Sequence, residues 1–195
     1  MMEIFLSASV PIKGREYFDG SDPLLIHSAV RALATLALGR RHIVWGGHPS
    51  ITPMMWAACE SLGVSYAKCV TLYQSKEFRD FFPEENAHFR NVRYIRKRKN
   101  TIASLLAMRA AMLRRPKLEA AVFIGGMLGI IQEYELFKEF HPNKVCLFVS
   151  SPGGAAAALA ARQPAYFGED KNSTNFTSLY IKALEISPSE RRNLG

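Results

Sequence analysis

The feature that most restricts this chain is a repeated change of period. Short β-forming runs at Ile4–Leu6, His42–Trp45, Cys69–Tyr73, Ala120–Ile124 and Val145–Val149 alternate with stretches of helical spacing. A strand with one wet face alternates apolar and polar residues, whereas a largely apolar run is buried on both faces. Such strands separated by helices predict a mainly parallel sheet covered on both sides, a Rossmann-like, doubly wound α/β domain. The helical patterns fall at about 24–38, 54–62, 101–113 and 130–140, with an Ala-rich one from Gly154. Asp22-Pro23 and Thr52-Pro53 each place a capping side chain before a proline suited to the first helical position, and Gly39 and Gly63 follow final turns.

Between Gln74 and Lys99 the rhythm fails. Phe78, Phe81, Phe82, Pro83 and Phe89 interleave with acids ahead of a basic run, which predicts an excursion outside the core sheet and, at the phenylalanines, a self-association or partner surface. A single domain over residues 1–186 is expected, followed by a polar tail, 187–195, that frays.

Composition narrows the class. With 48% apolar residues in 195, the chain can build one core. No apolar run approaches the ~20 residues of a membrane span. An acid at Glu3 and a short first run argue against export, so a cytoplasmic protein is expected. Cys59, Cys69 and Cys146 are far apart, form no CxxC pair and read as small core residues, with no metal site. Lys plus Arg is 25 against 17 for Asp plus Glu, and the net charge of +8 predicts a polyanionic partner.

Ligands of open parallel sheets sit at the carboxyl ends of the strands, so the residues following each run are the candidates. They are Ser7 and Ser9 after the first; Gly46, Gly47, His48, Ser50 and Thr52 after the second; Gly125, Gly126, Met127 and Gly129 after the fourth; and Ser151, Gly153 and Gly154 after the fifth. Glycine lets backbone N–H groups approach a phosphate, and the helix that follows adds its positive end. Two charges fall on inward stripes. Arg109 is centred among Ile102, Leu105, Leu106, Met112 and Leu113, and Glu133 lies with Ile130, Tyr134, Phe137 and Phe140. A structural ion pair and a pair of ligand contacts are both open. The basic run Arg90, Arg93, Arg96, Lys97, Arg98, Lys99 fits a solvated face, an attractor of anions, or a nucleic-acid contact, though only Tyr94 interleaves with it to stack bases.

The segment Ile43–Pro53, with Gly46-Gly47-His48-Pro49-Ser50-Ile51-Thr52-Pro53, resembles the GGHPxITP turn of standalone prokaryotic members of the SLOG superfamily. That Rossmann-like group includes the Smf/DprA proteins and the "lonely guy" cytokinin-activating proteins. Ser104-Leu105, Met108-Arg109, the run Phe123–Gly129 and Glu133 resemble its second signature, so the likeness spans about Glu3 to Ala160. It implies the fold and a nucleotide-derived ligand, with no further cofactor. Arg109 matches the arginine of the hydrolases' MHxRK segment. Their PGGxGTxxE is not kept: Ile124 stands for the proline, no threonine follows Gly129, and Glu133 falls one residue late. Members such as the C-terminal domain of the Thoeris defence sensor and the N-terminal region of melastatin-type channels bind ADP-ribose-derived nucleotides without processing them. The resemblance therefore implies a sensor for a linear or cyclic ADP-ribose-like signal in bacterial antiviral defence or stress signalling. It would relay the signal through homo-oligomers or through an effector or signal-producing protein. The alternative it implies is an N-glycosidase acting on nucleoside monophosphates, with Glu133 assisting base departure and Arg109 holding phosphate. A third, DNA binding in the Smf/DprA manner, rests on the basic run alone, so nucleic acid is not the expected partner.

Overall fold

The computed structural model of the chain describes residues 1–163 and 173–194. Six strands, β1 (Glu3–Ser9), β2 (His42–Trp45), β3 (Val70–Ser75), β4 (Asn91–Ile95), β5 (Leu118–Gly125) and β6 (Val145–Val149), form one sheet in the order β4-β3-β2-β1-β5-β6. Every pairing is parallel, as the continuous apolar runs require. The helices are α1 (Pro23–Ala37), α2 (Thr52–Leu62), α3 (Thr101–Leu113), α4 (Leu128–Phe140), α5 (Gly154–Ala161) and α6 (Phe176–Leu184). The chain winds outward from β1 to β4, then returns to the other side of β1 with β5. That reversal opens a crevice at the carboxyl ends of β1 and β5.

The sheet divides the core into two layers. Ile26, Val30 and Leu33 of α1, Met55 of α2 and Tyr180 of α6 pack with Ile43 and Trp45 on one face. Met108 and Met112 of α3, Phe137 of α4 and Leu159 of α5 pack with Phe5 and Phe123 on the other. The three cysteines are buried free thiols within this packing. Among the described residues no helix is long and apolar enough to cross a membrane.

Asp22 caps α1, its Oδ1 accepting the Leu24 and Leu25 N–H groups at 2.8 and 3.1 Å. The Thr52 cap expected for α2 is not formed. Thr52 is already helical, Ile51 holds the cap position without a side-chain bond, and the Thr52 hydroxyl donates to the His48 carbonyl at 3.2 Å. The expected excursion is also corrected. Two 3-10 segments, Lys76–Phe81 and Glu84–His88, lead back into the sheet as β4, its edge strand. An edge strand buries little, and in β4 only Val92 and Ile95 are even partly covered, so the alternation that marks a strand is absent.

On α3 the buried residues are Ser104, Met108, Met112 and Leu113, whereas Ile102 and Leu106 are 80% and 53% exposed. The apolar stripe drawn through Ile102 and Leu106 is therefore displaced. Ser104 can be buried because its hydroxyl donates to the Asn100 carbonyl and accepts the Arg98 N–H, both at 2.9 Å. The tail expected to fray is held instead: Arg40 Nε donates to the Glu190 carbonyl at 2.7 Å, and the Asn193 N–H donates to the Gly39 carbonyl at 2.6 Å. Arg192 donates to the Thr35 and Leu38 carbonyls, satisfying the open end of α1.

Candidate functional site

A cleft of about 380 Å³ opens at the carboxyl ends of β1, β2 and β3, beneath the start of α4 and one face of α3. Its size is that of a small-molecule site. Of the residues singled out in the sequence, Ser7, Ser9, Gly46, Gly47, His48, Arg109, Met127, Gly129 and Glu133 line it. Ser50, Thr52, Gly125, Gly126, Ser151, Gly153 and Gly154 do not.

Arg109 and Glu133 meet at this cleft. Arg109 Nε lies 3.3 Å from Glu133 Oε1, the two side chains being 12% and 16% exposed. Ser7, at the end of β1, donates its hydroxyl to Glu133 Oε2 at 2.6 Å. Arg109 Nη1 donates to Gln132 Oε1 at 2.6 Å, and Nη2 has no hydrogen-bond partner among the described residues. Of the two readings open from the sequence, the ion pair is formed, and it stands on the wall of the cleft. Gly129 makes room for it: a Cβ there would stand 3.0 Å from Nη2. Two residues before it, Met127 provides no side-chain cap for α4. In the first turn of α4 the Ile130 N–H donates to the Met127 carbonyl at 3.0 Å, which leaves Gly129, a lining residue, as the backbone donor beside the free guanidinium nitrogen, and the two suit an anion.

His48 is held rather than free. The Ser50 N–H donates to its Nδ1 at 3.3 Å, so Nδ1 is the acceptor and Nε2 carries the proton. The Ser50 hydroxyl lies 2.8 Å from the same nitrogen and accepts the Val10 N–H at 3.1 Å. Burial pushes the imidazole pKa below its ordinary value, so the ring is neutral at neutral pH. Ser50 and Thr52 thus shape the turn that presents His48. Gly47 is fixed by φ of +63° and by crowding, because a Cβ would lie 2.2 Å from Gln74 Nε2.

The other glycine turns have their backbone donors engaged. The Gly126 N–H donates to the Ser9 carbonyl at 2.8 Å. The N–H groups of Gly153, Gly154 and Ala155 donate to the carbonyls of Ser150, Gly20 and Gly126 at 2.9, 3.4 and 2.9 Å. The Ser151 hydroxyl donates to the Ser173 carbonyl at 2.9 Å. These glycines let backbone pack on backbone, and they offer a phosphate no spare donor.

Two groups of lining residues escaped the sequence reading. Gln74, 5% exposed, donates Nε2 to the Gly47 carbonyl at 3.0 Å and braces the second turn. It directly follows Tyr73, so the strand-end rule would have found it had glycine not been the criterion. Phe78, Phe81 and Phe82 were read as a partner surface, yet they form a wall of the cleft. Among the described residues no cluster of three or more His, Cys, Asp or Glu is placed to hold a metal ion.

The fold is Rossmann-like, and the family match places the chain in the SLOG group, which fits a nucleotide-related protein. More narrowly, the family model described as the SLOG cluster3 family matches residues 16–184, and the chain belongs to that family. A crystal structure of TM1055, a structural-genomics target, shares the fold with a TM-score of 0.52 at 15% identity, covering 93% of this chain and 99% of that one. No curated protein matches the chain.

Proposed function

We propose that the chain is a receptor for a nucleotide-derived signal, of the ADP-ribose-like class, linear or cyclic, serving bacterial antiviral defence or stress signalling. One observation carries the reading: a single cleft joins an aromatic wall, Phe78, Phe81 and Phe82, to an anion seat formed by Arg109 and the uncapped start of α4. Aromatic rings stack on a base, and a guanidinium with helix N–H groups holds a phosphate. Ser7 and Arg109 each contact one oxygen of Glu133 and fix its orientation at the cleft wall, beside the anion seat. The relay to a second copy or to an effector protein belongs to the same reading.

Mass spectrometry of small molecules released from the purified protein tests it, together with calorimetric titration of AMP and ADP-ribose. An intact nucleotide recovered unchanged after long incubation supports the receptor. The hydrolase reading is favoured by one fact, that a carboxylate lines the cleft at all. Free base appearing with time, and lost in Glu133→Gln, would establish that reading in place of the receptor. Sedimentation with and without ADP-ribose tests the relay through self-association.

A further inference from the structure

β4 is the last strand on its side of the sheet. β3 pairs with one of its margins, and among the described residues no backbone bond reaches the other. Successive side chains of a strand leave by opposite faces. Val92 packs on the core layer of α1 and α2 and Ile95 on the layer of α3, so Val92 and Tyr94 share one face, and Asn91, Arg93 and Ile95 the other. The first face is apolar, since Tyr94 is 51% exposed and stacks on Phe82 with ring centroids 5.9 Å apart. The second carries the exposed guanidinium of Arg93. Exposed Arg90 precedes the strand, and exposed Arg96, Arg98 and Lys99 follow it. Lys97 is engaged by Glu77 at 3.0 Å, whereas the other five cations have no ion-pair partner among the described residues.

A free strand margin presents N–H donors and C=O acceptors in alternation. Only another peptide backbone satisfies both kinds, because the phosphates of a nucleic acid accept and do not donate. We propose that β4 is a docking strand for an extended, acidic segment of a partner protein, in which carboxylate side chains alternate with β-branched or aromatic ones. Its backbone would continue the sheet beyond β4. Its carboxylates would stand beside Arg93, and its apolar side chains beside Val92 and Tyr94. The flanking cations would draw the segment in and fix its placement along the strand. The inference needs no ligand in the cleft, so it stands or falls apart from the receptor reading. It gives the relay to an effector protein a definite chemistry.

The full-length protein is titrated at low and high salt with the synthetic peptide acetyl-Glu-Val-Glu-Val-Glu-Val-Glu-amide. Two controls accompany it: the same peptide N-methylated on all its residues, and one with Lys in place of every Glu. Amide hydrogen exchange maps the contact. The acidic peptide should slow exchange at residues 91–95 and bind more weakly as salt rises. It should bind on the order of tenfold more tightly than either control, since one lacks strand hydrogen bonds and the other reverses the charge. Arg93→Glu, with an unchanged melting temperature as the check on folding, should weaken the acidic peptide by on the order of tenfold. Should that variant fail to fold, the two control peptides test the idea on the parent protein alone. An N-methylated peptide that binds as tightly would show attraction by charge without strand pairing, and would overturn the proposal. So would absence of binding by the acidic peptide, or protection confined to other elements. Tighter binding of a short oligothymidylate, with the same residues protected, would assign this margin to nucleic acid. Concentration-dependent protection of residues 91–95 in the protein alone would assign it to a second copy, and either result would overturn the proposal.

Discussion

Replacing Arg109 by alanine separates what the arginine does for the fold from what it does for a ligand. Loss of a fully buried ionic partner costs about 3–5 kcal/mol, and loss of an exposed one about 0–1 kcal/mol. Arg109 and Glu133 lie between those limits, at 12% and 16% exposure on the wall of a cleft, joined by one contact of 3.3 Å rather than a bidentate pair. Ser7 still donates to Glu133 after the substitution, at 2.6 Å in the parent. The expected cost is therefore about 1–2 kcal/mol, which for a domain of this size lowers the melting temperature by about 2–8 °C. Binding should suffer more, because a charge-assisted contact to phosphate is worth about 1.5–3 kcal/mol, or roughly 10- to 150-fold in AMP affinity. Thermal unfolding and calorimetry on the same samples read the two effects. A cycle with Glu133→Gln should give a coupling of about 1 kcal/mol. An Arg109→Ala protein as stable as the parent would show that the pair contributes nothing to folding. Parental affinity for AMP in that variant would refute the anion seat.

Three other outcomes follow from the geometry. Gly46→Ala should fold, because the added Cβ meets nothing nearer than Met108 Cε at 3.5 Å and Met112 Cε at 3.8 Å, whereas Gly154→Ala should cost about 3 kcal/mol or more. At Gly154 the Cβ would lie 2.4 Å from the Gly125 carbonyl carbon on a backbone with φ of +74°; chemical denaturation distinguishes the two variants. Asp22→Ala removes the acceptor for two N–H groups at the start of α1 and should cost about 0.5–2 kcal/mol, read in the same assay. Burial lowers the pKa of His42 and of His48, so the folded state binds fewer protons than the unfolded state below about pH 6.5. Stability should therefore fall as pH drops through that value, and His48→Gln should flatten part of the slope in melting curves taken between about pH 7 and pH 5.

The inner elements of the fold were legible because burial on both faces writes itself as continuous apolar runs. All five predicted strands are present, and Asp22 marked its helix through a cap that depends only on local sequence. Elements whose burial is partial or borrowed were not legible. β4 has one neighbour and one charged, solvated margin, so Arg93 and Tyr94 hide its period. α3 is apolar nearly all round, which leaves no contrast to locate its inner side until Ser104 proves to be buried. The tail has no pattern of its own, since arginines reaching backbone carbonyls far along the chain hold it. At the site, glycine was a usable mark of a strand end but a poor mark of a free donor. Gly126 and Gly154 spend their N–H groups on Ser9 and Gly20, pairings that only the folded chain reveals.

An open sheet margin recruits others like it. β4 turns unpaired backbone groups outward along its free side, where the same strand of a second copy could add to the sheet. Exposed Arg93, at the centre of β4, would face its own equivalent in a symmetric antiparallel join, and like charges brought together across strands oppose it. Positive charge on this margin therefore governs colloidal behaviour as well as anion capture. A multivalent anion that neutralises the margin would weaken the repulsion between copies. Removing the arginine would do the same permanently, so the protein cannot shed this charge without becoming prone to edge-to-edge aggregation.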